Sequence, residues 1–317
     1  MKNKLLKLGI PGWTFKEPIE ELFKKTGYDF KIDEKSSAVY IDDQEIDCFF
    51  ARAKELCPLI ERGILDGGIV GRATRAETKT KLTEVCDLGS LYLGQETKIV
   101  LAIPEKSKMK SLKDLKGKKI ITRIPKITKD FLMKNKISAS IEFSDGTNEA
   151  KVPSFADALV EFTNTGATLK TYNLKIIAVL IKDSVILVAN KKSLKDKWKR
   201  EKIEKLAILL KGARLAQEMV GLMLHASNEM VEEVLKVLPS LKKPTVTQLR
   251  GENWFDVFTV ADKKEIRNLI PKLKKIGCTD IVGKINISLI NINIGPGLLQ
   301  YLLNRLSLHY ISGWIIW

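Results

Sequence analysis

Short apolar runs alternate with amphipathic segments through the first two thirds of the chain. KLLKLGIP, EIDCFFAR and DGGIVG have the length and apolar content of strands, while EPIEELFKKTG and ELCPLIERG have helical patterns. The alternation begins again near Lys98, with KIVLAIP, KKIITRI, KIIAVLI and SVILVAN as further predicted strands. Such alternation is typical of α/β layers with largely parallel strands. It predicts two α/β units, followed by a long helix from roughly Asp196 to Met223.

The pattern changes after Pro239. LKKPTVTQL, WFDVFTVAD, KKEIRNLIPKLKKIG and CTDIVGKI predict a strand, a strand, a helix and a strand, and SNEMVEEVLKVLPS before them predicts another helix. A small sheet with helices on one face is the ferredoxin-like arrangement. The expected boundaries are 1–97 for lobe I, completed by about 182–211, then 98–181 for lobe II, 212–288 for a small domain and 289–317 for an apolar tail.

The tail is interrupted by a Gly-Pro-Gly sequence, by Arg305 and by His309. A spanning helix needs about 20 uninterrupted apolar residues, so we expect no membrane span. A segment that touches a membrane or docks a partner remains open, as does a segment without an evolved role.

Charge and composition narrow the classes of function. The 317 residues carry a formal net charge of +16, but the lysines are interleaved with acidic and apolar residues. No helix-turn-helix, zinc-finger or aromatic-basic pattern accompanies them, so we expect polyanionic small substrates and no nucleic acid. The four cysteines lack CxxC spacing and the chain starts without a signal-peptide pattern, which together indicate a reducing cytoplasm. With only His225 and His309 present, a histidine-based triad or poly-histidine metal site is not expected.

The strongest candidate site is the segment ADALVEFTNTGATLKTYNL. Its centre, residues 161–169, places three threonines, an asparagine and a glycine before an apparent helix start. A helix cap explains these residues, because Thr and Asn accept hydrogen bonds from free N–H groups. A phosphate cradle is the alternative, since the same groups bind anions at a helix N-terminus. Asp157 and Glu161 are four residues apart, hence on one face, and could accept hydrogen bonds from a ribose diol.

This segment resembles the phosphoribosyl-pyrophosphate loop of the ATP phosphoribosyltransferases, which catalyse the first step of histidine biosynthesis. The family pattern is roughly D-A-[IL]-V-[DE]-x-T-x-T-G-x-[ST]-L. ARAKEL, DGGIVG, DGTNEAK and LPSLKKPTVTQL also resemble family segments in the family's order, over roughly residues 5–287. The last of them is similar to the long form, which has a C-terminal regulatory domain. The resemblance implies two periplasmic-binding-protein-like (type II) α/β lobes plus a small ferredoxin-like (ACT-like) α+β domain.

The resemblance also implies an activity. ATP would condense with 5-phosphoribosyl 1-pyrophosphate to give N1-(5-phosphoribosyl)-ATP and pyrophosphate, with Mg²⁺ as cofactor. Histidine would act as feedback inhibitor, and the chain would form a dimer or a hexamer. A non-catalytic two-lobed protein that binds small anions is the alternative.

Roles for individual residues follow from the same resemblance. The catalytic candidates are Arg52, Asp157 and Glu161. The sugar-phosphate loop would comprise Thr163, Asn164, Thr165, Gly166, Ala167, Thr168 and Leu169. Further candidates at the cleft are Asp66, Gly67, Gly68, Glu149 and Lys151. A surface salt bridge would explain Arg52 about as well as a role at the cleft. The packing of a buried strand would likewise explain Gly67 and Gly68. No metal ligand is identified.

Two positions depart from the family pattern. Gly12 and Trp13 stand where a lysine and a glycine are usual, so a cation that faces the substrate is missing unless a neighbour such as Lys16 replaces it. Arg123 stands where many relatives have an acid.

Overall fold

The computed structural model describes residues 4–12, 15–33, 35–91, 95–239, 243–251, 253–284 and 314–316. The chain divides into two compact units, residues 1–207 and 208–317. No helix among these described residues is long and apolar enough to cross a membrane.

The first unit contains twelve of the described strands and most of the described helices. Its strands are β1 (Leu6–Pro11), β2 (Phe30–Ile32), β3 (Val39–Ile41), β4 (Ile46–Ala51), β5 (Gly67–Gly71), β6 (Thr83–Gly89), β7 (Thr97–Pro104), β8 (Lys119–Thr122), β9 (Ser140–Phe143), β10 (Ala158–Thr163), β11 (Leu174–Asp183) and β12 (Val185–Ala189). Its helices are α1 (Lys16–Lys25), α2 (Ala53–Glu61), α3 (Arg72–Thr78), α4 (Pro125–Lys134), α5 (Ala167–Thr171), α6 (Lys191–Lys195) and the start of α7 (Lys197–Glu218).

Two five-stranded sheets form the two lobes of this unit. The lobe I sheet has the order β4-β1-β5-β12-β6, and the lobe II sheet has the order β11-β7-β10-β8-β9. In each sheet two neighbouring pairs are parallel and two are antiparallel. The prediction of largely parallel strands is therefore wrong, because β7, β11 and β12 run against their neighbours, a direction that apolar content alone does not encode.

Glycines allow the centre of the lobe I sheet to pack. Every residue of β5 and of β12 is buried. A Cβ atom at Gly67 would stand 2.7 Å from the carbonyl oxygen of Val188, and one at Gly68 would stand 2.8 Å from the carbonyl oxygen of Gly9. Neither position has room for a side chain, so packing within the sheet accounts for both glycines.

The helix α3 connects the lobes. It follows β5 of lobe I, yet its residue Ala73 belongs to the buried cluster of lobe II that contains Leu101 and Val160. The buried carboxylate of Glu77 in α3 accepts hydrogen bonds from the backbone N–H groups of Lys126 and Ile127, at 3.1 and 2.9 Å. These two groups begin α4 and have no partner within their own helix, so a lobe I side chain caps a lobe II helix.

After the remainder of α7, the second unit is a sheet with two further helices. Its elements are β13 (Met219–Ser227), α8 (Val231–Val237), β14 (Thr245–Gln248), β15 (Trp254–Asp262), α9 (Lys263–Ile276), β16 (Thr279–Lys284) and β17 (Trp314–Ile316). The sheet order is β14-β15-β13-β16-β17 and all pairs are antiparallel. Alternate residues of β13, such as Leu222 and Leu224, pack against Leu269 and Leu273 of α9 in one core.

The helix predicted to reach Met223 ends at Glu218, so that prediction is wrong. From Leu222 onward the residues of β13 alternate between buried and partly buried positions, which is the period of a strand. Tertiary pairing with β15 and β16 decides this boundary. The predictions for the tail lie outside the described residues apart from 314–316.

Candidate functional site

The carboxyl ends of three lobe II strands lie at one edge of the sheet. β8 is parallel to both β9 and β10, and these strands end at Thr122, Phe143 and Thr163. In open α/β sheets, ligands bind in the crevice outside the carboxyl ends of the strands. The loop predicted from the sequence follows β10 and therefore starts at this edge.

The loop both caps a helix and exposes its polar groups. Gly166 precedes α5 with φ of 78°, in the left-handed region. Its N–H donates to Thr163 Oγ1 at 3.0 Å, and the Ala167 N–H donates to Thr165 Oγ1 at 3.3 Å. Thr165, Ala167 and Thr168 are exposed. Threonine hydroxyls thus accept from N–H groups at the start of α5, as the cap explanation requires, while the side chains of Thr165 and Thr168 are exposed to solvent.

Leu169 does not face solvent with the rest of the loop. Its side chain is 2% exposed and belongs to the buried cluster that includes Val100, Ile121 and Leu159. The side chain is thus not available to a substrate, and the predicted role of Leu169 in the loop stays a prediction for its backbone. Its apolar side chain instead anchors the first turn of α5, and hence the loop, to the lobe II sheet.

Glu161 is the buried acid of the site. It lies in β10, two residues before Thr163 and therefore on the same face of the strand. Its Oε2 accepts a hydrogen bond from Asn148 Nδ2 at 2.9 Å, and its Oε1 accepts one from the N–H of Phe162 at 3.0 Å. Burial raises the pKa of the Glu161 carboxyl above its ordinary value, against the opposing effect of these donors.

Asp157 lies at the other end of β10. It precedes the strand, while the loop follows it, and the four residues to Glu161 span about 13 Å at the rise of a strand. The Asp157 carboxylate accepts a hydrogen bond from the N–H of Lys119 at 2.9 Å and pairs with Lys118 Nζ at 3.3 Å. The Lys119 N–H, with the lysine charges, holds the pKa of Asp157 below its ordinary value. The structure therefore does not bring Asp157 and Glu161 together at one ribose.

Residues 144–151, between β9 and β10, form a closed loop beside Glu161. Lys151 Nζ donates to Ser144 Oγ and to the carbonyl oxygen of Gly146. Its ammonium group is thus used to close the loop. Glu149 is partly buried in the same loop and its charge acts to raise the pKa of Glu161. Glu149 and Lys151 thus lie next to Glu161, as predicted for residues at the cleft, but the Lys151 ammonium donates to its own loop.

Lobe I reaches this edge through α2. Arg52 is exposed at the carboxyl end of β4, immediately before α2. Lys54 in α2 donates from Nζ to the carbonyl oxygen of Arg123 at 2.8 Å, and the same atom lies 5.6 Å from the ring centroid of Phe143. Phe143 is 58% exposed. Sequence reasoning did not select Lys54, Phe143 or Asn148, since nothing in the pattern around them indicates these contacts.

Asp66 is placed away from the carboxyl edge. It precedes β5, whereas Arg52 follows β4 at the opposite end of the sheet. The buried carboxylate accepts hydrogen bonds from Ser193 Oγ and Lys199 Nζ, both at 2.6 Å, and from the Lys7 N–H at 2.9 Å. Asp66 therefore has structural partners at the end of the sheet opposite Arg52, and Gly67 and Gly68 are packed inside the sheet, while a cleft role for the three stays a prediction.

Of the two residues that depart from the family pattern after the first strand, the structure describes Gly12. Gly12 is buried, and its N–H donates to the carbonyl oxygen of Ala51 at 2.9 Å. A Cβ atom at Gly12 would stand 3.0 Å from Phe50 Cζ, so the Phe50 ring restricts a larger residue there. Trp13 lies outside the described residues. Arg123 donates to Asp145 Oδ1 at 3.2 Å, and its charge acts to lower the pKa of Glu161.

Comparisons with known proteins identify the family. The family model described as ATP phosphoribosyltransferase (HisG) matches residues 52–212, and the model of the HisG C-terminal domain matches residues 216–286. A protein from Chlorobium luteolum, named ATP phosphoribosyltransferase, is 39% identical over 280 residues, which are 88% of this chain and 95% of the relative. One of the same name from Thermodesulfovibrio yellowstonii is 38% identical over 283 residues, which are 89% of this chain and 97% of the relative.

A solved structure supports the same conclusion. The chain is similar to one in the ATP phosphoribosyl transferase (HisG:HisZ) complex from Thermotoga maritima, with a TM-score of 0.57 and 25% identity. The match covers 67% of this chain and 99% of that chain. The predicted fold class, two α/β lobes and a small α+β domain, is confirmed. With matching family models on both parts and high identity over most of its length, this chain belongs to the ATP phosphoribosyltransferase family of pentosyltransferases.

Proposed function

We propose that this chain condenses ATP with 5-phosphoribosyl 1-pyrophosphate to form N1-(5-phosphoribosyl)-ATP and pyrophosphate, the first step of histidine biosynthesis. The observation that carries the proposal is the exposed threonine and glycine loop at the carboxyl edge of lobe II, directly after the buried acid Glu161. Family membership selects this reaction among those that a phosphate-binding loop could serve.

The residues of the loop would hold the 5-phosphate of the sugar. The N–H groups of Gly166 and Ala167 and the hydroxyls of Thr165 and Thr168 are donors suited to a phosphate dianion. In the described structure both of these N–H groups donate to threonine hydroxyls, so a phosphate oxygen would replace or share those bonds. The loop would therefore be preorganised by its own hydroxyls until the substrate arrives.

Glu161 would accept hydrogen bonds from the ribose hydroxyls. It is the acid closest in sequence to the loop on the loop's own face of β10, and Asp157 lies at the far end of that strand. An ionised carboxylate forms charge-assisted hydrogen bonds, which are stronger than neutral ones. Holding the ribose fixes the position of C1 for attack by adenine N1, and alignment of this kind lowers the barrier without a strong base.

Arg52 would meet the pyrophosphate or triphosphate from lobe I. It is exposed at the carboxyl end of β4, and α2, which follows it, contacts the lobe II edge through Lys54. The pyrophosphate leaves with increasing negative charge, and a fixed cation there stabilises that charge. The positive net charge of the chain also attracts both polyanionic substrates.

We assign no protein ligands to Mg²⁺. Among the described residues, no three acidic, histidine or cysteine side chains form a metal-binding group. We propose that Mg²⁺ enters as the complex with the pyrophosphate of the substrate, where it would neutralise charge on the leaving group.

We also propose that the second unit is a regulatory domain that responds to histidine, within predicted residues 212–288. The match of the HisG C-terminal domain model to residues 216–286 supports this proposal. Assembly as a homodimer or homohexamer and a cytoplasmic location are parts of the same proposal. The Thermotoga maritima relative is in a complex named HisG:HisZ, which makes assembly with a second kind of subunit a point to examine.

The direct test is an assay of purified protein for N1-(5-phosphoribosyl)-ATP, with each substrate omitted in turn and with and without histidine. We expect product only when both substrates and Mg²⁺ are present, and less product with histidine. Binding of 5-phosphoribosyl 1-pyrophosphate without any turnover would instead support a two-lobed anion-binding protein. Turnover that is indifferent to millimolar histidine, with no histidine binding in calorimetry, would refute only the regulatory part.

A further inference from the structure

The side chain of Asn148 connects residues 144–151 to the buried acid of the site. It is fully buried, and its Nδ2 donates to Glu161 Oε2 at 2.9 Å and to the carbonyl oxygen of Ser144 at 3.2 Å. Both neighbours are acceptors, so the two hydrogens of the amide are both used. Asn148 Oδ1 is buried without a hydrogen-bond partner among the described residues.

An unpaired buried carbonyl oxygen costs stability. A leucine of similar size at position 148 would avoid that cost, and the polar Asn148 side chain is therefore not explained by core packing. Two contacts distinguish asparagine from leucine here, the hydrogen bonds to the Ser144 carbonyl oxygen and to Glu161, and of these only the bond to Glu161 reaches the acid of the site. Because Ser144 is a neighbour within the same loop, this bond fixes Glu161 relative to the whole closed loop.

We infer that Asn148 is a positioning residue for the sugar-phosphate site, which holds the Glu161 carboxylate in the orientation that accepts hydrogen bonds from the ribose. This inference rests on the proposed function, since Glu161 must contact the sugar for its orientation to matter. Glu161 Oε1 accepts from the Phe162 N–H, so two donors on different elements fix the carboxylate plane. A fixed plane avoids the loss of rotamer freedom when substrate binds.

The same bond adjusts the charge state of Glu161. Burial raises the pKa of the carboxyl, while Asn148 Nδ2 and the Phe162 N–H lower it. The other charged groups acting on it are Arg123, which lowers the pKa, and Glu149, which raises it. Removing the Asn148 donor leaves burial less opposed, so the pKa of Glu161 is expected to rise further. Sugar-phosphate binding would then require a higher pH.

The test is calorimetric binding of 5-phosphoribosyl 1-pyrophosphate and, separately, of ATP, from about pH 5 to about pH 8. Asn148→Leu is expected to weaken sugar-phosphate binding about ten- to a hundredfold, the value of one hydrogen bond to a charged group. ATP affinity should stay unchanged, and the pH midpoint of sugar-phosphate binding should move upward. In a Glu161→Gln background, Asn148→Leu should add little further loss, because the two residues act through one contact.

A matched control is Thr128→Val. Thr128 is fully buried in the same lobe and donates from Oγ1 to the carbonyl oxygen of Ile124 at 2.9 Å. It removes one buried hydrogen bond without touching Glu161 and should leave both affinities and the pH midpoint unchanged. If Asn148→Leu does not fold, as judged by circular dichroism, the smaller Asn148→Ala, which also lacks a donor, replaces it with the same expectations.

Three results would overturn the inference, and they are distinguishable. Wild-type affinity and pH midpoint in Asn148→Leu, together with weak binding in Glu161→Gln, would refute the positioning role alone. Equal losses for ATP and the sugar phosphate would show a general structural effect. Wild-type affinity in Glu161→Gln itself would refute the ribose contact in the proposed function, and the role of Asn148 with it.

Discussion

Replacement of Gly166 tests the phosphate loop most directly. Gly166 has φ of 78°, and a Cβ atom built there would meet no atom within 4 Å. The Cβ atom of a substituted residue therefore has open space around it, and the backbone conformation is what opposes the substitution. Gly166→Val should fold, but it places a β-branched residue in the left-handed region, where such residues are rarely found. Its side chain would also occupy space that an approaching phosphate needs.

The conformational part of the effect can be bounded. The left-handed region costs an ordinary residue about 1–2 kcal/mol. If the free loop of the variant relaxes and must be returned to this conformation for binding, affinity falls about five- to thirtyfold from strain alone. Asparagine tolerates the left-handed region and is similar in volume to valine. Gly166→Asn should thus avoid most of the strain while keeping the bulk, so the difference between the two variants separates strain from occlusion.

Gly117→Val is the matched control. Gly117 has φ of 73°, has no atom within 4 Å of a built Cβ, and precedes β8 at the edge of the lobe II sheet opposite the loop. It should show a similar loss of stability in urea unfolding and unchanged affinity for 5-phosphoribosyl 1-pyrophosphate. Calorimetry on the three variants gives the affinities. Wild-type affinity in Gly166→Val would refute the assignment of the loop as the phosphate site.

Three further predictions concern the structural residues and the charge of the site. Gly68→Ala should lower the free energy of unfolding by about 1–3 kcal/mol, because its Cβ would stand 2.8 Å from a neighbouring carbonyl oxygen. Gly71→Ala in the same strand should change the free energy of unfolding less. Weakened ATP binding at unchanged stability would contradict this prediction. Lys199→Met should lower the free energy of unfolding by up to about 3 kcal/mol, since it leaves the buried Asp66 carboxylate without its cation. The Lys199 side chain is 29% exposed, which limits the loss. Adding Asp66→Asn should restore part of the lost stability in urea unfolding. Because the pKa of the Glu161 carboxyl is raised, the folded state binds the proton of this carboxyl more tightly than the unfolded state does. The wild type should therefore lose stability relative to Glu161→Gln as pH rises from the ordinary to the raised pKa. A difference in unfolding free energy that does not change with pH would refute this prediction.

The sequence located the candidate loop but not the role of each residue in it. Threonines and a glycine at a strand-to-helix turn are visible in the printed chain, and the structure places them at the carboxyl edge of lobe II. Leu169 belongs to the same run of letters, yet its side chain is in the core. A contiguous motif does not show which of its members face outward, since that depends on how α5 packs on the sheet.

Asp157 and Glu161 show the same limit. Their spacing predicts a shared face of the strand. It does not show that the six residues after Asp157 form β10, so that Asp157 and the loop lie at opposite ends of this strand. Whether an acid is free for a ligand also depends on distant partners. Lys199 is 133 residues from Asp66 in the chain, and its ammonium occupies the carboxylate that the motif DGGIVG offered as a cleft group. Glu161 in β10 obtains one of its two donors from Asn148, thirteen residues earlier in the loop that precedes the strand.

By itself, the sequence determined the α/β class, the two-lobed order of the elements and the location of the polar loop, because apolar periodicity and turn residues are local properties. Strand direction, the end of α7 at Glu218 and the assignment of Met219–Ser227 to the central strand of the second unit were decided by tertiary pairing. The state of each buried acid was decided in the same way. A carboxylate in a protein interior is defined by the donors and charges that the fold brings within a few ångströms, and these come from parts of the chain whose separation no local pattern records.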